Sequence, residues 1–108
     1  MEELKEMHCE PLKEGATPLR AAEITRLLGR LNTPWEQVNH HSIRKEFPFE
    51  NFKRGMAFAQ EVALVAEREN HHPDICIHYT NVVVELSTHD IGGLSENDFI
   101  MAGKIEAI

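Results

Sequence analysis

Glu67-Arg68-Glu69-Asn70-His71-His72-Pro73, answered further along by Ser87-Thr88-His89-Asp90, holds the densest chemistry of the chain and its clearest structural switch. The first run closes a long helical pattern. Pro73 disfavours helical geometry at His72, so that helix ends at or just before this residue. Beyond it, Ile75-Cys76-Ile77-His78-Tyr79 and Val82-Val83-Val84-Glu85-Leu86 are rich in β-branched residues and flank Thr80-Asn81, which predicts a hairpin. Three of the seven histidines, His71, His72 and His89, thereby fall on element ends that a hairpin folds back against one another.

Upstream, the helical pattern runs from about Glu50 to Asn70, with Phe52, Met56, Ala59, Val62, Ala63 and Ala66 on one face and Phe58 and Val65 widening it. Gly55 inside it costs about 1 kcal/mol relative to alanine, so close packing or tertiary contacts must offset it. Before Pro48, Trp35 to Phe49 alternates in polarity as short half-buried strands do, with His40-His41 in a solvated turn between them. Earlier still, Ile24, Leu27, Leu28 and Leu31 make one apolar helical stripe, started by Thr17-Pro18 and ended by Asn32-Thr33-Pro34. Residues 1–16 lack periodicity and read as an extended or loosely docked arm. Downstream, Gly92-Gly93 forms a flexible loop. Ser95-Glu96-Asn97-Asp98 has capping-box spacing with Leu94 and Phe99 as a staple, and a last helix buries Met101, Ile105 and Ile108. The order α-β-β-α-β-β-α implies an α+β domain over residues 17–108, a four-stranded antiparallel sheet with three helices packed on one face.

The 108 residues suffice for one domain, and 42% hydrophobic content fits a globular one. A net charge of −7, from 11 basic and 18 acidic residues, disfavours direct nucleic-acid binding and anionic lipid surfaces. No apolar run is long enough for a membrane span or a signal segment, so a cytoplasmic location is expected. Cys9 and Cys76 are far apart and form no Cys-x-x-Cys pair, which argues against a zinc ribbon or a disulfide scaffold. Cys76 is expected as a small buried side chain or on the polar side of its strand.

Glu67 and His71, four residues apart, are expected to share a helix face, so that the carboxylate orients the imidazole for proton transfer near neutral pH. His72 diverges from His71 where Pro73 turns the chain, and His89 sits just past the second hairpin strand. Plainer roles compete: His71 as a helix cap, His78 as an exposed strand residue, Tyr79 as hairpin packing, Asp98 as a capping carboxylate and Trp35 as core. Convergence at element ends favours a site built from Glu67, His71, His72 and His89. Three imidazoles and a carboxylate could also hold zinc or iron. Adjacent histidines seldom reach one ion, however, and no His-Glu-x-x-His spacing occurs, so no metal is expected.

At these residues the chain resembles the pterin-4a-carbinolamine dehydratases. The resemblance is carried by Glu67, three intervening residues, His71-His72-Pro73, five residues to Tyr79, nine to His89 and eight to Asp98, a spaced set over 32 residues. It extends through Trp35, Phe47-Pro48-Phe49 and the Phe52 helix, and through Gly92-Gly93-Leu94-Ser95. Two departures stand out: Asn70 where many relatives are acidic, and Leu12 where some bacterial relatives pair a second cysteine with the one at Cys9. The resemblance implies dehydration of 4a-hydroxytetrahydrobiopterin, or a related 4a-hydroxytetrahydropterin, to the quinonoid dihydropterin and water, in tetrahydrobiopterin recycling after aromatic amino-acid hydroxylation. It implies no cofactor. His71, His72 and His89 would be catalytic, with Glu67 orienting a histidine. Asn70, Ser87, Thr88 and Asp90 would join the three histidines in holding the pterin. A homodimer or homotetramer is expected, through the apolar last helix or a free strand edge. The alternative is a non-catalytic dimerisation module of the transcriptional-coactivator type.

Overall fold

The computed structural model describes residues 2–108. Its elements are α1 (Ala21–Leu28), β1 (Glu36–Val38), β2 (Ser42–Pro48), α2 (Phe52–Glu69), β3 (Asp74–Ile77), β4 (Asn81–Leu86) and α3 (Glu96–Glu106), with single 3-10 turns at Leu4–Glu6 and His89–Ile91. The strands form one antiparallel sheet in the order β1-β2-β4-β3, and the α+β order expected from the sequence is the one observed. β4 is central, paired with β2 from Ile43↔Leu86 to Pro48↔Asn81 and with β3 from Asp74↔Glu85 to Ile77↔Val82. Its alternation buries Val82, Val84 and Leu86 on the face covered by the helices. The β1–β2 connection has three residues between the paired Val38 and Ser42; it holds Asn39 and His40 at φ 50° and 61° and leaves His40 and His41 exposed.

α1 starts at Ala21, three residues later than the Thr17-Pro18 signal suggests. The Leu19 N–H donates to the Leu94 carbonyl at 2.9 Å and keeps that stretch extended, and Glu23 caps the helix through the Arg20 N–H at 3.0 Å. α2 is capped by Asn51, whose side chain accepts from the Arg54 N–H at 2.9 Å. It buries Gly55, Phe58, Ala59, Val62, Val65 and Ala66, a face rotated from the expected one: Phe52 is 47% exposed and Ala63 points outward. Phe58 sets the rotation by seating against Phe47 and Phe49, with ring centroids 4.7 and 5.1 Å away. Close approach explains Gly55, where a Cβ would lie 3.4 Å from Val82 Cγ2. Trp35 is buried and donates from Nε1 to Glu106 Oε1 at 3.1 Å. β3 ends at Ile77, earlier than expected. Tyr79 is therefore 79% exposed rather than packed, and Cys76 is exposed on the sheet's outer edge.

α3 is buried nearly all round, through Phe99, Ile100, Met101, Ala102, Gly103 and Ile105, while Ile108 is half-exposed beyond its end. The arm covers part of it. Leu4 is 3% exposed and lies against Gly103, where an added Cβ would sit 3.1 Å from both Leu4 Cβ and the Lys5 backbone nitrogen. The start of the arm is thus docked into the core rather than loose. α3 spends its apolar residues on the protein's own core, so of the surfaces expected to mediate oligomerisation the free sheet edges, at β1 and β3, are the ones left open. Among the described residues no helix is long and apolar enough to cross a membrane. Gly103→Val should displace Leu4 and lower stability by about 1–3 kcal/mol, the usual cost of overpacking, and urea denaturation measures it.

Candidate active site

The site begins with how α2 stops. Asn70 takes the left-handed conformation (φ 53°, ψ 41°), its N–H returning to the Ala66 carbonyl, and the His71 N–H reaches the same carbonyl at 3.2 Å. This is a Schellman-type end, and asparagine tolerates the left-handed region better than most residues. The helix therefore closes at Glu69, and His71 leaves the face that Glu67 occupies. The expected Glu67–His71 pair does not form. Glu67 Oε2 meets His72 Nε2 at 2.5 Å instead, in an exposed pair, while His71 Nε2 meets Asp98 Oδ1 at 2.7 Å.

Asp98 is wholly buried in the first turn of α3. Its Oδ2 accepts the Thr88 hydroxyl at 2.8 Å and the Ser95 N–H at 3.0 Å, leaving Oδ1 to His71. Because Thr88 spends its proton on Asp98, the Ser95 hydroxyl is the donor in the 2.7 Å contact between the two hydroxyls. Thr88 and Gly93 exchange backbone hydrogen bonds, which closes the loop bearing His89 and Asp90. A carboxylate only accepts, so the nitrogen of each ring that faces one carries the hydrogen. Nδ1 of His71 and of His72 is then free to take or give a proton.

A cleft of about 780 Å³ opens beside this network. From the end of α2 it is lined by Arg68, Glu69, Asn70 and His71, from the loop after β4 by Thr88, Asp90 and Ile91, and from α3 by Asn97. The arm supplies the rest, from Cys9 to Lys13 and at Gly15 and Ala16. Of the residues singled out from sequence, Asn70, His71, Thr88 and Asp90 share this lining. Glu67, His72, Ser87 and His89 are outside it; His72 and His89 are exposed, each next in the chain to a lining residue, and Ser87 is half-buried. Among the described residues no three His, Cys, Asp or Glu side chains gather as a metal site.

Two contributions escaped the sequence reading. Asp98, read as a cap, is both the cap and the partner of His71; its fixed distance from His71 was the available signal. The arm's share of the cleft had none, because it docks through backbone groups. Glu69 makes that connection: its side chain 8% exposed, it accepts the Cys9 N–H at 2.7 Å and contacts His8 Nδ1 at 3.0 Å, with Lys104 Nζ 3.7 Å away. Burial works to raise its pKa, but the Cys9 N–H, His8 and Lys104 outweigh it and hold the carboxyl below its ordinary value. Burial first, and the Glu69 charge second, push the Cys9 thiol up to about 12.

Comparison with known proteins places the chain in a family. The family model for pterin 4 alpha carbinolamine dehydratase matches residues 17–108. The chain belongs to the pterin carbinolamine dehydratase family. A family relative from Rubrobacter xylanophilus, named after pterin-4-alpha-carbinolamine dehydratase, is 41% identical over 108 residues, all of both chains. One of the same name from Nitrosospira multiformis is 44% identical over all of this chain and 94% of its own. The crystal structure of a transcriptional coactivator/pterin dehydratase from Brucella melitensis superposes with a TM-score of 0.78 at 34% identity, covering 84% of this chain and 97% of that one. A pterin dehydratase-like protein identified as a RuBisCO assembly factor in the alpha-carboxysome has a TM-score of 0.60 at 23% identity, over 70% of this chain and 89% of its own. That likeness speaks for the fold alone.

Two measurements check the electrostatics. At pH 8 iodoacetamide should alkylate exposed Cys76 at least about tenfold faster than Cys9, since the thiolate is the reactive form. A carboxyl whose pKa is depressed on folding stabilises the fold above its unfolded value and loses that contribution as pH falls through the folded one. The stability gap between wild type and Glu69→Gln should therefore be full at pH 6 and shrink below about pH 4, as followed by urea denaturation across that range.

Proposed function

We propose that the protein dehydrates a 4a-hydroxytetrahydropterin, 4a-hydroxytetrahydrobiopterin or a close relative, to the quinonoid dihydropterin and water. The observation that carries this reading is the pairing of His71 with buried Asp98 at the edge of a cleft shared with Asn70, Thr88 and Asp90. In the reaction one imidazole takes the proton from N5 and another delivers a proton to the C4a hydroxyl. The C4a–O bond breaks, water leaves, and the N5 electron pair closes the C4a=N5 double bond. No electron acceptor is required, and an imidazole can both accept and deliver a proton. Asp98 keeps His71 in one orientation; Glu67 does the same for His72. His89, at the start of its 3-10 turn, is the third proton carrier, and Asn70, Ser87, Thr88 and Asp90 supply polar groups to the pterin. The protein would serve pterin recycling after aromatic amino-acid hydroxylation in the cytoplasm, as a homodimer or homotetramer.

A second reading, a binding module of the coactivator type, draws on the name of the Brucella melitensis neighbour. Turnover separates the two. In stopped-flow assays on chemically generated carbinolamine, the wild type should accelerate dehydration. His72→Ala and His89→Ala should each lower turnover at least about tenfold, because a positioned acid or base contributes ~10²–10⁴. Both side chains are exposed, so both variants should keep their fold. Wild-type rates in both would refute the assignment. Dialysis against EDTA should leave activity intact, and its loss would favour a metal site.

A further inference from the structure

The catalytic reading draws on the ends of α2, β4 and α3, yet one wall of the cleft comes from the arm. Two clamps hold the arm at residues 8–10. Glu69, two residues before His71, takes the Cys9 N–H and contacts His8. Asn97, in the first turn of α3, accepts the Glu10 N–H at 3.1 Å and donates from Nδ2 to the Glu10 carbonyl at 2.8 Å, so one side-chain amide bonds the backbone as a neighbouring strand would. The far end is tied by the Leu19 N–H to the Leu94 carbonyl. Between these anchors the chain turns at Lys13–Ala16, with Gly15 at φ 79°. Among the described residues, no hydrogen bond ties residues 11–15 to the rest of the domain. Their position over the cleft is therefore set by the anchors.

Burying a carboxylate is a costly way merely to dock a segment, since an apolar side chain would bury area without the desolvation penalty. What an acceptor aimed at one backbone N–H adds is register: it fixes which arm residues reach the cleft. We propose that Glu69 is a positioning residue for the pterin site, fixing the arm so that residues 11–16 complete the cleft begun by His71, Thr88 and Asp90. This rests on the dehydratase reading. An arm wall that only touches bound pterin contributes to ground state and transition state alike, so its release should act on KM and spare kcat.

The test combines steady-state kinetics on the carbinolamine with hydrogen exchange of the amides of residues 8–16, in wild type, Glu69→Ala, Glu69→Gln and Asn97→Ala. Glu69→Ala is expected to lose protection at Cys9 and to raise KM at least about fivefold with kcat within about twofold, the pattern of lost uniform binding. Glu69→Gln, which keeps an acceptor oxygen, should recover part of the effect. Asn97→Ala releases Glu10 and should give the same pattern, so it serves if Glu69→Ala does not fold. Lost protection with unchanged KM would overturn the arm as a wall, and retained protection would overturn Glu69 as its anchor. A wild type that neither turns over nor binds the carbinolamine would overturn the dehydratase reading itself, and this inference with it.

Discussion

A carboxylate removed from water must have its lone pairs met by the protein, and Asp98 is one with no exposure at all. Its three donors come from three places in the chain: His71 beyond α2, Thr88 beyond β4, and Ser95 at the start of α3. Each of those segments is therefore held to within hydrogen-bond tolerance of one atom pair. The end of one helix, the loop after the central strand and the cap of another helix are fixed relative to each other at the point where the cleft opens. The imidazole that does chemistry in the proposed reaction is also a structural donor, so its orientation is as firm as the core around it.

The same economy runs through the rest of the fold. α3 supplies Asp98 and Asn97 from its first turn while burying its middle, and it accepts Leu4 on the glycine that leaves room for it. Glu106 near its end takes hydrogen bonds from the Asn32 and Thr33 backbone and from Trp35, tying the connection between α1 and β1 to the same helix. Few residues of α3 are free to change without touching the site, the core or the arm.

What was legible in the sequence was whatever repeats or carries a local rule. The stripe of Ile24 and Leu27, the alternation of Val82, Val84 and Leu86, and the Ser95–Asp98 spacing each predicted an element that is present. What was not legible depended on single residues against distant partners. Pro73 sets only an upper bound on where α2 ends, and Asn70 ends it sooner by turning left-handed, so that Glu67 pairs with His72 rather than His71 and His71 turns to Asp98. The buried face of α2 was displaced because Phe58, not Phe52, meets the aromatic pair Phe47 and Phe49. The arm gave no periodic signal, since one buried leucine and a few backbone hydrogen bonds hold it in place.

The central claim is that Asp98 holds the His71 ring by its Nε2 hydrogen, leaving Nδ1 for the proton that moves. Long-range ¹H–¹⁵N correlation of the imidazole nitrogens reads this directly. At a pH where the ring is neutral, His71 should show the Nε2–H tautomer, and Asp98→Asn should change that pattern. An Nδ1–H tautomer in the wild type, or a His71 signal indifferent to Asp98→Asn, would contradict it.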